Sequence, residues 1–352
     1  MHSNLIITIK SFIIKRCIIE DFIQKVGYKV ANIFVAGKIP EKAEEILKGN
    51  DITIFTGEGL ITEDELCESV KNADAILSLL STPITKNVID AAKNVKIIAN
   101  YGAGFNNIDV EYATSKGIHV TNTPFVSTDA TAELTLAILL AVSRRVVEGD
   151  ELCRTTGFDG WAPLFFRGTE VSGKTIGIFG FGNIGQAVAK RANAFNMNVL
   201  YTQPRRLLPE IEQQFNATYV SFDDLLKESD FISLHSPYKP ELHHLFGEEE
   251  FAKMKKTAFF INAARGTLVN EAELVNALKN GVVAGAALDV FEFEPTITEE
   301  LKTLSNVVLT PHIGNATYET REAMSEVAAK NIIEVINGRN PISAVNEIFV
   351  KN

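Results

Sequence analysis

The chain has 352 residues, of which 46% are hydrophobic and 22% are charged, and its formal net charge is −10 at pH 7. This length predicts two domains, and the composition is typical of a globular protein rather than a disordered one. The negative charge argues against a nucleic-acid-binding surface, because contacts to many phosphates require clustered Lys and Arg.

The sequence contains three cysteines, Cys17, Cys67 and Cys153, and no two of them form a C-x-x-C pair. It therefore predicts neither a disulfide framework nor a zinc motif, and no other metal site is expected. We expect inert thiols in a reducing, cytoplasmic compartment.

Residues 1–30 form an extension ahead of the first predicted domain. From Leu5 to Val26 its apolar residues recur at near-helical spacing, interrupted by charges such as Lys10 and Arg16. No apolar run approaches the roughly 20 residues of a membrane span, and a signal-peptide pattern is lacking. We expect a surface-docked amphipathic helix without stable membrane insertion, with attachment to a membrane surface as the alternative.

From Asn32 onward, short β-branched runs alternate with amphipathic stretches. This alternation predicts a parallel sheet with crossover helices on both faces. The predicted strands are Ile33–Val35, Ile52–Phe55, Ala75–Leu79, Lys96–Asn100 and His119–Thr121. The predicted helices are Glu41–Lys48, Glu63–Lys71, Lys86–Ala92 and Val110–Lys116.

A second series of the same kind begins at Lys174, so the sequence predicts two doubly wound α/β domains. Its predicted strands are Thr175–Phe179, Val199–Tyr201, Phe231–Leu234, Ala258–Asn262, Ala284–Leu288 and Val307–Leu309. The predicted helices include Gly185–Ala194, Glu248–Met254 and Glu271–Asn280.

Two longer helical patterns, Thr128–Arg154 and Tyr318–Asn337, lie between and after the two series. The first is apolar on more than one face, which predicts burial against more than one surface. The simplest topology has one domain interrupted by the other, with these two helices as the crossings. We therefore predict an inserted domain over residues 128–317, and a discontinuous domain formed by residues 31–127 and 318–352.

A glycine motif, G-F-G-N-I-G at residues 180–185, directly follows the predicted strand Thr175–Phe179 and opens a helix. Alone the motif is weak, but in this context it indicates a Rossmann dinucleotide-binding domain. Gly180 permits the tight turn, Gly182 lets the backbone approach a pyrophosphate, and Gly185 lets the helix pack on the strand. The alternative is a glycine-rich turn without a ligand. The expected cofactor contacts are Gly180, Gly182, Asn183, Ile184 and Gly185.

The end of the next predicted strand bears on the choice between NAD and NADP. An acid at this place would bind the ribose 2′-OH of NAD. Here the strand is followed by Gln203, Pro204, Arg205 and Arg206, so no acid is present. Guanidinium groups can bind the 2′-phosphate that a carboxylate would repel. The sequence favours NADP(H), with NAD(H) possible; the alternative is that both arginines are solvated loop residues.

Three later stretches place charged side chains just beyond predicted strands. The first contains Arg265, the second Asp289, Glu292 and Glu294, and the third His312. Because ligands of open α/β sheets bind beyond the carboxyl ends of the strands, we expect all three stretches at one crevice between the domains.

Together with the glycine loop, these stretches resemble the D-isomer-specific 2-hydroxyacid dehydrogenase family, and within it glyoxylate/hydroxypyruvate-reductase-like members. The resemblance extends from Asn32 to the C-terminus. It implies a flavodoxin-like substrate domain carrying an inserted Rossmann domain, and NAD(P)-dependent hydride transfer at C2 of a small 2-keto or 2-hydroxy acid.

The resemblance also implies roles for individual residues. Arg265 would bind the substrate, His312 would be the acid/base, Glu294 its carboxylate partner, and Asp289 a ligand of the nicotinamide carboxamide. The loop from Asn100 to Asp109 would hold the substrate carboxylate through backbone amides. The remaining positions implied are the amides of Ala103 and Gly104, and Thr128, Pro237 and Gly314 on the cofactor side.

Elementary chemistry supports these roles. A guanidinium binds a carboxylate bidentately, and a histidine titrates near neutrality, so it can donate a proton to a carbonyl oxygen and later take one back. A neighbouring carboxylate stabilises the protonated ring and orients it. Each residue also has a purely structural alternative, and Glu292 stands close to Glu294.

Two other functions stay open at this point. The family also resembles corepressors that bind NAD(H), so a dinucleotide-sensing scaffold is the non-enzymatic alternative. Formate oxidation is disfavoured, because family members of that kind place an amide beside the histidine. The intact set of Arg265, Glu294 and His312 favours an enzyme.

A homodimer is predicted from the apolar residues of Thr128–Arg154, which exceed what one domain is expected to cover. The resemblance further implies that the segment around Trp161 and Phe165 reaches toward the partner subunit. The other predicted partner is a small-molecule 2-keto or 2-hydroxy acid.

Overall fold

The computed structural model describes residues 30–348. The predicted helix Leu5–Val26 and Cys17 lie outside these residues. None of the helices within residues 30–348 is both long and apolar enough to cross a membrane. The described residues fall into two compact units, one of residues 30–123 with 322–348 and one of residues 124–321.

The first unit contains a parallel sheet whose strands alternate with short helices. The strands are β1 (Asn32–Val35), β2 (Asp51–Ile54), β3 (Ala75–Leu79), β4 (Ile97–Tyr101) and β5 (His119–Thr121). The helices are α1 (Lys42–Leu47), α2 (Glu63–Ser69), α3 (Lys86–Ala91) and α4 (Val110–Ser115). The strand order is β2-β1-β3-β4-β5, the doubly wound order of flavodoxin-like sheets.

Local sequence explains why these elements begin where they do. Thr62 and Glu65 form a capping box ahead of α2, in which each side chain accepts a hydrogen bond from the other residue's backbone N–H. Asp109 caps α4 by accepting from the N–H of Tyr112 at 3.0 Å. The apolar runs of β3 and β4 are almost entirely buried, as expected for a parallel sheet covered on both faces.

The second unit contains a seven-stranded parallel sheet. Its strands are β6 (Thr175–Phe179), β7 (Asn198–Thr202), β8 (Ala217–Tyr219), β9 (Phe231–Leu234), β10 (Phe259–Asn262), β11 (Gly285–Leu288) and β12 (Val307–Leu309). They lie in the order β12-β11-β10-β9-β6-β7-β8, which is the 3-2-1-4-5-6 order of a Rossmann sheet with one strand added. The prediction of two doubly wound domains, one of them a Rossmann fold, is confirmed.

Helices of the second unit flank this sheet. They are α5 (Thr128–Ser143), α6 (Val146–Arg154), α7 (Asn183–Ala194), α8 (Pro209–Phe215), α9 (Phe222–Glu228), α10 (Glu248–Lys253) and α11 (Glu271–Lys279). A last helix, α12 (Tyr318–Ile336), begins in this unit and continues into the first one. The other crossing lies between Thr123 and Pro124, in the loop ahead of α5 rather than in the helix.

The prediction of one helix over Thr128–Arg154 is wrong, because the chain turns at Arg144 and Arg145. Arg145 adopts the left-handed conformation with φ 57°. Residues from a later loop take up the place of the next turn: the N–H of Thr169 donates to the Ser143 carbonyl at 2.7 Å, and a Cβ on Gly168 would lie 2.6 Å from the same oxygen. The break is thus imposed by a long-range contact.

The burial expected on several faces holds for α5 alone. Its apolar residues, among them Leu136, Ile138 and Leu139, are buried in a core cluster of the second unit. In α6 no residue is buried, and Val146 and Val147 are exposed. The second unit therefore covers α5 itself, contrary to the reasoning that led to the dimer prediction.

Candidate active site

The glycine loop connects β6 to α7 and has the shape that a dinucleotide requires. Gly180 has φ 91°, and a Cβ there would lie 2.7 Å from the Ser236 nitrogen. A Cβ on Gly185 would lie 2.3 Å from the Gly180 carbonyl oxygen, so the helix packs closely on the strand. A Cβ on Gly182, by contrast, would have no atom within 4 Å, which leaves the loop open to a ligand.

The N-terminus of α7 fits the same ligand. Gly182 is the N-cap and has no side chain to accept from the first N–H groups of this 12-residue helix, which begins at Asn183. These groups include the N–H of Asn183 and of Ile184. Free N–H groups and the positive end of a helix dipole bind phosphate. The residues present therefore fit the pyrophosphate of a dinucleotide.

Gln203, just beyond β7, connects this loop to the arginines that follow. Its Oε1 accepts from the Phe181 N–H at 3.1 Å, and its Nε2 donates to the Arg205 carbonyl at 2.7 Å. The amide side chain thus bonds the glycine loop to the loop after β7. Its position in the sequence did not indicate this role.

The two arginines beyond Gln203 have different surroundings. The Nε and Nη2 atoms of Arg206 each donate to a carboxylate oxygen of Glu212 at 2.8 Å, and Tyr201 donates to the same carboxylate at 2.7 Å. Hydrogen bonds from Arg206 and Tyr201 lower the pKa of Glu212 to about 2. The exposed guanidinium of Arg205 has no hydrogen-bond or ion-pair partner within residues 30–348. Only Arg205 is therefore uncommitted.

At the other side of the sheet, Asp289 holds the turn that carries His312. Its buried carboxylate accepts from the Thr310 hydroxyl at 2.7 Å and from the N–H groups of Ile313 and Gly314, both at 2.8 Å. Burial raises the pKa of Asp289, while these three hydrogen bonds act in the opposite direction. These three groups occupy its carboxylate within the protein itself. Binding of the nicotinamide carboxamide by Asp289 therefore stays a prediction.

His312 faces Glu294. Its Nδ1 lies 2.9 Å from a Glu294 carboxylate oxygen, and its backbone has the left-handed φ of 52°. A strained φ at a non-glycine residue persists only where the surroundings fix it, and here the His312 N–H donates to the Asp289 carbonyl at 2.9 Å. The other Glu294 oxygen accepts from the Phe291 N–H at 3.0 Å. The pair is therefore held from both sides.

Electrostatics links Arg265 to this pair. Burial raises the pKa of Glu294, but the hydrogen bond and charge of His312, the Phe291 N–H and the charge of Arg265 outweigh it and lower the pKa overall. Burial lowers the pKa of Arg265, and the Glu294 charge offsets part of that effect. Asn262 fixes the Arg265 loop, since its amide donates to the Arg265 carbonyl at 2.9 Å. An imidazole, a carboxylate and a guanidinium thus form one interacting group.

All these residues follow the carboxyl ends of strands in one sheet. Gly180 follows β6, Gln203 follows β7, exposed Pro237 follows β9, Arg265 follows β10, and Asp289 and His312 follow β11 and β12. Thr128 is the first residue of α5. The second unit therefore brings the catalytic and cofactor positions predicted within it to the edge where open α/β sheets bind ligands.

Ala103 and Gly104 belong to the first unit. Their carbonyl groups accept from the side-chain amides of Asn122 at 2.7 Å and Asn100 at 2.6 Å. Neither backbone N–H donates a hydrogen bond within the described part of the chain. Their amides are thus available to an anion, and the role in substrate binding stays a prediction.

Sequence reasoning gave no role to three residues of the second unit that take part in this edge. Glu212 holds Arg206, while Glu271 and His244 bond to Glu292, the alternative considered beside Glu294. The partner of Glu271 and His244 is 21 and 48 positions away, and that of Glu212 lies six positions away beyond a loop, so no local pattern indicated them.

Known proteins resemble this chain along most of its length. The family model of the NAD binding domain of D-isomer specific 2-hydroxyacid dehydrogenases matches residues 136–314. A Staphylococcus aureus (strain USA300) protein named as a 2-hydroxyacid dehydrogenase is 58% identical over 315 residues, which are 89% of this chain and 99% of that protein.

Solved structures agree with this assignment. A glyoxylate reductase from Paecilomyes thermophila is 35% identical with a TM-score of 0.80, covering 90% of this chain and 98% of its own. An NADPH-dependent glyoxylate/hydroxypyruvate reductase from Sinorhizobium meliloti, solved with NADP and malonate, is 30% identical with a TM-score of 0.75, covering 90% and 97%. The resemblance seen in the sequence is confirmed: this chain belongs to the D-isomer-specific 2-hydroxyacid dehydrogenases, a family of NAD-dependent oxidoreductases.

Proposed function

We propose that the chain reduces a small 2-keto acid of the glyoxylate or hydroxypyruvate type, that NADPH is the preferred reductant, and that His312 is the proton donor. The observation that carries the proposal is the pairing of His312 with Glu294 at 2.9 Å, with Arg265 on the adjacent strand end. A keto acid needs a cation for its carboxylate and an acid for its carbonyl oxygen, and this group of residues offers both.

The roles of the residues follow from their atoms. Since Nδ1 of His312 is bonded to Glu294, Nε2 is the nitrogen left to donate a proton to the carbonyl oxygen. The Arg265 guanidinium binds the substrate carboxylate, which orients C2. A bound reduced nicotinamide supplies the hydride to C2. In the reverse direction, His312 takes the hydroxyl proton back.

The amides of Ala103 and Gly104 are proposed as a second contact for the substrate carboxylate. Asn122 and Asn100 fix the carbonyl groups of this loop, so the conformation that presents the two N–H groups is held before a ligand arrives. Preorganised backbone donors of this kind stabilise an anion without reorganising during the reaction.

On the cofactor side we propose that Arg205 binds the adenosine 2′-phosphate. Arg206 is the weaker candidate because Glu212 occupies two of its guanidinium nitrogens. Pro237, Thr128, Asp289 and Gly314 are kept as proposed cofactor contacts. NADH is kept as a possible second reductant, since the matching family model is that of an NAD binding domain.

We also propose that the protein is a homodimer, through α6 and the segment that follows it. Trp161 and Leu164 are 87% and 76% exposed, and the rings of Phe158 and Phe165 in the same segment, also exposed, stack on each other. Exposed apolar residues grouped in this way are rare on monomers. Sedimentation equilibrium at micromolar concentration should give the dimer mass, and Trp161→Glu with Leu164→Glu should give the monomer. A wild-type monomer would contradict the proposal.

The reaction is tested by offering glyoxylate, hydroxypyruvate, pyruvate and 2-ketobutyrate with NADPH and with NADH, and following the absorbance of the reduced nicotinamide. We expect the highest kcat/KM for glyoxylate or hydroxypyruvate with NADPH. A higher kcat/KM for pyruvate or 2-ketobutyrate would overturn the proposed substrate, and a preference for NADH would overturn the proposed cofactor. The cytoplasmic location is likewise a proposal, to be tested by cell fractionation.

A further inference from the structure

A buried glutamate, Glu271, and a largely buried one, Glu292, bind each other's backbone in the second unit. The Glu271 N–H donates to a carboxylate oxygen of Glu292 at 3.0 Å, and the Glu292 N–H donates to a carboxylate oxygen of Glu271 at 2.6 Å. Glu271 is 2% exposed, and the side chain of Glu292 is 10% exposed. Carboxylates this far from water require donors for their charge.

Two further groups complete the set of donors. His244 Nε2 lies 2.7 Å from the second Glu292 oxygen, and the Thr298 hydroxyl donates to the second Glu271 oxygen at 2.5 Å. The His244 ring stacks on His243 with 3.9 Å between ring centroids. All four carboxylate oxygens are thus satisfied, and this arrangement of histidines and glutamates is not one that could hold a metal ion.

This cluster of Glu271, Glu292, His244 and Thr298, hereafter the glutamate clasp, touches both loops that carry the proposed active site. Glu292 stands two residues before Glu294 in the segment after β11. On the other loop, the His244 N–H donates to the carbonyl of Thr267, two residues after Arg265, at 3.0 Å. Residues of the clasp are therefore bonded to, or belong to, the segments that carry Glu294 and Arg265, two positions away from each.

The two loops also meet directly. A Cβ on Gly266 would lie 1.9 Å from the carbonyl carbon and oxygen of Phe291, and 2.4 Å from the Glu292 nitrogen. Phe291 in turn donates its N–H to Glu294 at 3.0 Å. The two backbones are thus in van der Waals contact and cannot move closer. The contacts that hold the loops together therefore determine the distance between them.

We propose that Glu292, with Glu271 and His244, is a positioning residue: the clasp fixes the Glu294 segment against the Arg265 loop, so that Glu294 stays turned toward His312. The inference rests on the proposed roles of Arg265, Glu294 and His312. No atom of the clasp touches the reacting groups; it acts through Glu294 and Arg265. A displacement of about 1 Å in such groups can cost on the order of a hundredfold in rate.

The test is Glu292→Ala, with kcat, KM for the keto acid, the pH profile of reduction and NADPH binding measured on the folded variant. We expect kcat/KM to fall by about tenfold to a hundredfold, and the upper pH limit of reduction to move down because Glu294 no longer supports the protonated His312. The NADPH affinity should stay unchanged, since the glycine loop is built by other strands. His244→Asn, which removes one donor at a partly exposed position, should show the same changes to a smaller extent.

Two controls separate positioning from general destabilisation. In Glu292→Gln the side-chain oxygen can still accept from the Glu271 N–H, and the amide can donate to a neutral His244, so most activity should return. Asp230→Ala removes a comparable carboxylate at the opposite edge of the sheet, where it accepts from the Thr175 N–H at 2.9 Å and pairs with Lys255 at 3.0 Å. It should lower stability without moving the pH profile.

The outcomes are distinguishable. Loss of kcat with a shifted pH profile in Glu292→Ala, recovery in Glu292→Gln and an unmoved profile in Asp230→Ala support the proposal. If Glu292→Ala behaves as Asp230→Ala does while His312→Asn is inactive, the clasp is merely structural and the inference is overturned. If His312→Asn is as active as wild type, the proposed function itself fails, and the inference fails with it.

Discussion

In the second unit, the residues beyond the carboxyl ends of the strands form two regions that are built in different ways. Beyond β10, β11 and β12, side chains form the site: the Asp289 carboxylate fixes the His312 turn, and the Glu294 carboxylate is bonded to both His312 and the Phe291 N–H. Beyond β6 and β7, the backbone forms the site through Gly180 and the open helix start.

This difference corresponds to two chemical tasks. Proton transfer and substrate orientation are sensitive to displacements of about 1 Å, so it is favourable to fix the groups proposed for them before the substrate arrives. A pyrophosphate is bound by main-chain N–H groups that every residue offers, and only glycines are required to make room. In the proposed function, discrimination between cofactors falls to Arg205, whose exposed guanidinium has no partner within residues 30–348.

The largest expected effect on activity is in the region beyond β10, β11 and β12, where side chains form the site. His312→Asn removes the proposed proton donor, so keto-acid reduction should fall by about 10²–10⁴-fold. NADPH binding, measured by fluorescence titration, should be unchanged because the glycine loop is intact. Turnover within a few-fold of wild type would mean that another group supplies the proton.

Glu294→Gln sharpens the comparison by changing charge with little change of shape. Since the pKa of Glu294 is lowered, the carboxylate persists through the neutral range and is lost only as the pH falls into the acid range. The amide cannot stabilise a protonated His312, so reduction should keep part of its rate and lose it at a lower pH than in wild type. An unchanged upper limit in the kcat/KM profile would contradict the role of Glu294.

On the backbone-built side, the expected effects concern preference between cofactors. Arg205→Ala should reduce the ratio of kcat/KM for NADPH over NADH by about tenfold to a hundredfold, the range of one charge-assisted contact. Arg206→Ala is the matched control and should change this ratio less, because Glu212 already holds that guanidinium. Gln203→Asp should move the preference toward NADH by repelling the 2′-phosphate. If wild type prefers NADH and Arg205→Ala changes nothing, Arg205 is a solvated loop residue.

The smallest effect is expected for Glu212→Gln, through stability rather than catalysis. The pKa of Glu212 is lowered to about 2, so its contribution is fully present above the pKa of an unfolded Glu and is lost as the pH falls toward 2. Urea unfolding should show wild type to be more stable than the variant at neutral pH, with the difference shrinking below about pH 4. A difference independent of pH would mean that the ion pair does not contribute.

Patterns of short range in the sequence predicted most of the fold. The β-branched strands, the glycine motif and the charged residues just beyond three strands depend on neighbours within a few positions, and they were found from the residues. The roles of Arg265, Glu294 and His312 came instead from the family resemblance. The three-residue strand β8 carries too little periodicity to be seen, and it was missed. No bounds were predicted for helices α8 and α9, which lie on either side of it.

Contacts between distant residues were not predictable in the same way. The break at Arg145 depends on Gly168 and Thr169, and the bond between His244 and Glu292 joins positions 48 apart. Arg206 was predicted together with Arg205 as a candidate for binding the 2′-phosphate, because its partner Glu212 lies on the next helix. Such partners become known only when the chain is folded.

Gly266 limits how the enzyme can be redesigned. Its φ lies outside the left-handed region, so its backbone conformation does not require glycine; the obstacle to a side chain is the Phe291 carbonyl, 1.9 Å from where a Cβ would lie. Any larger residue must push the Glu294 segment away before it is accommodated. Attempts to alter substrate preference next to Arg265 are therefore better directed at Ala263 or Thr267, and a library that varies position 266 will return mostly inactive clones.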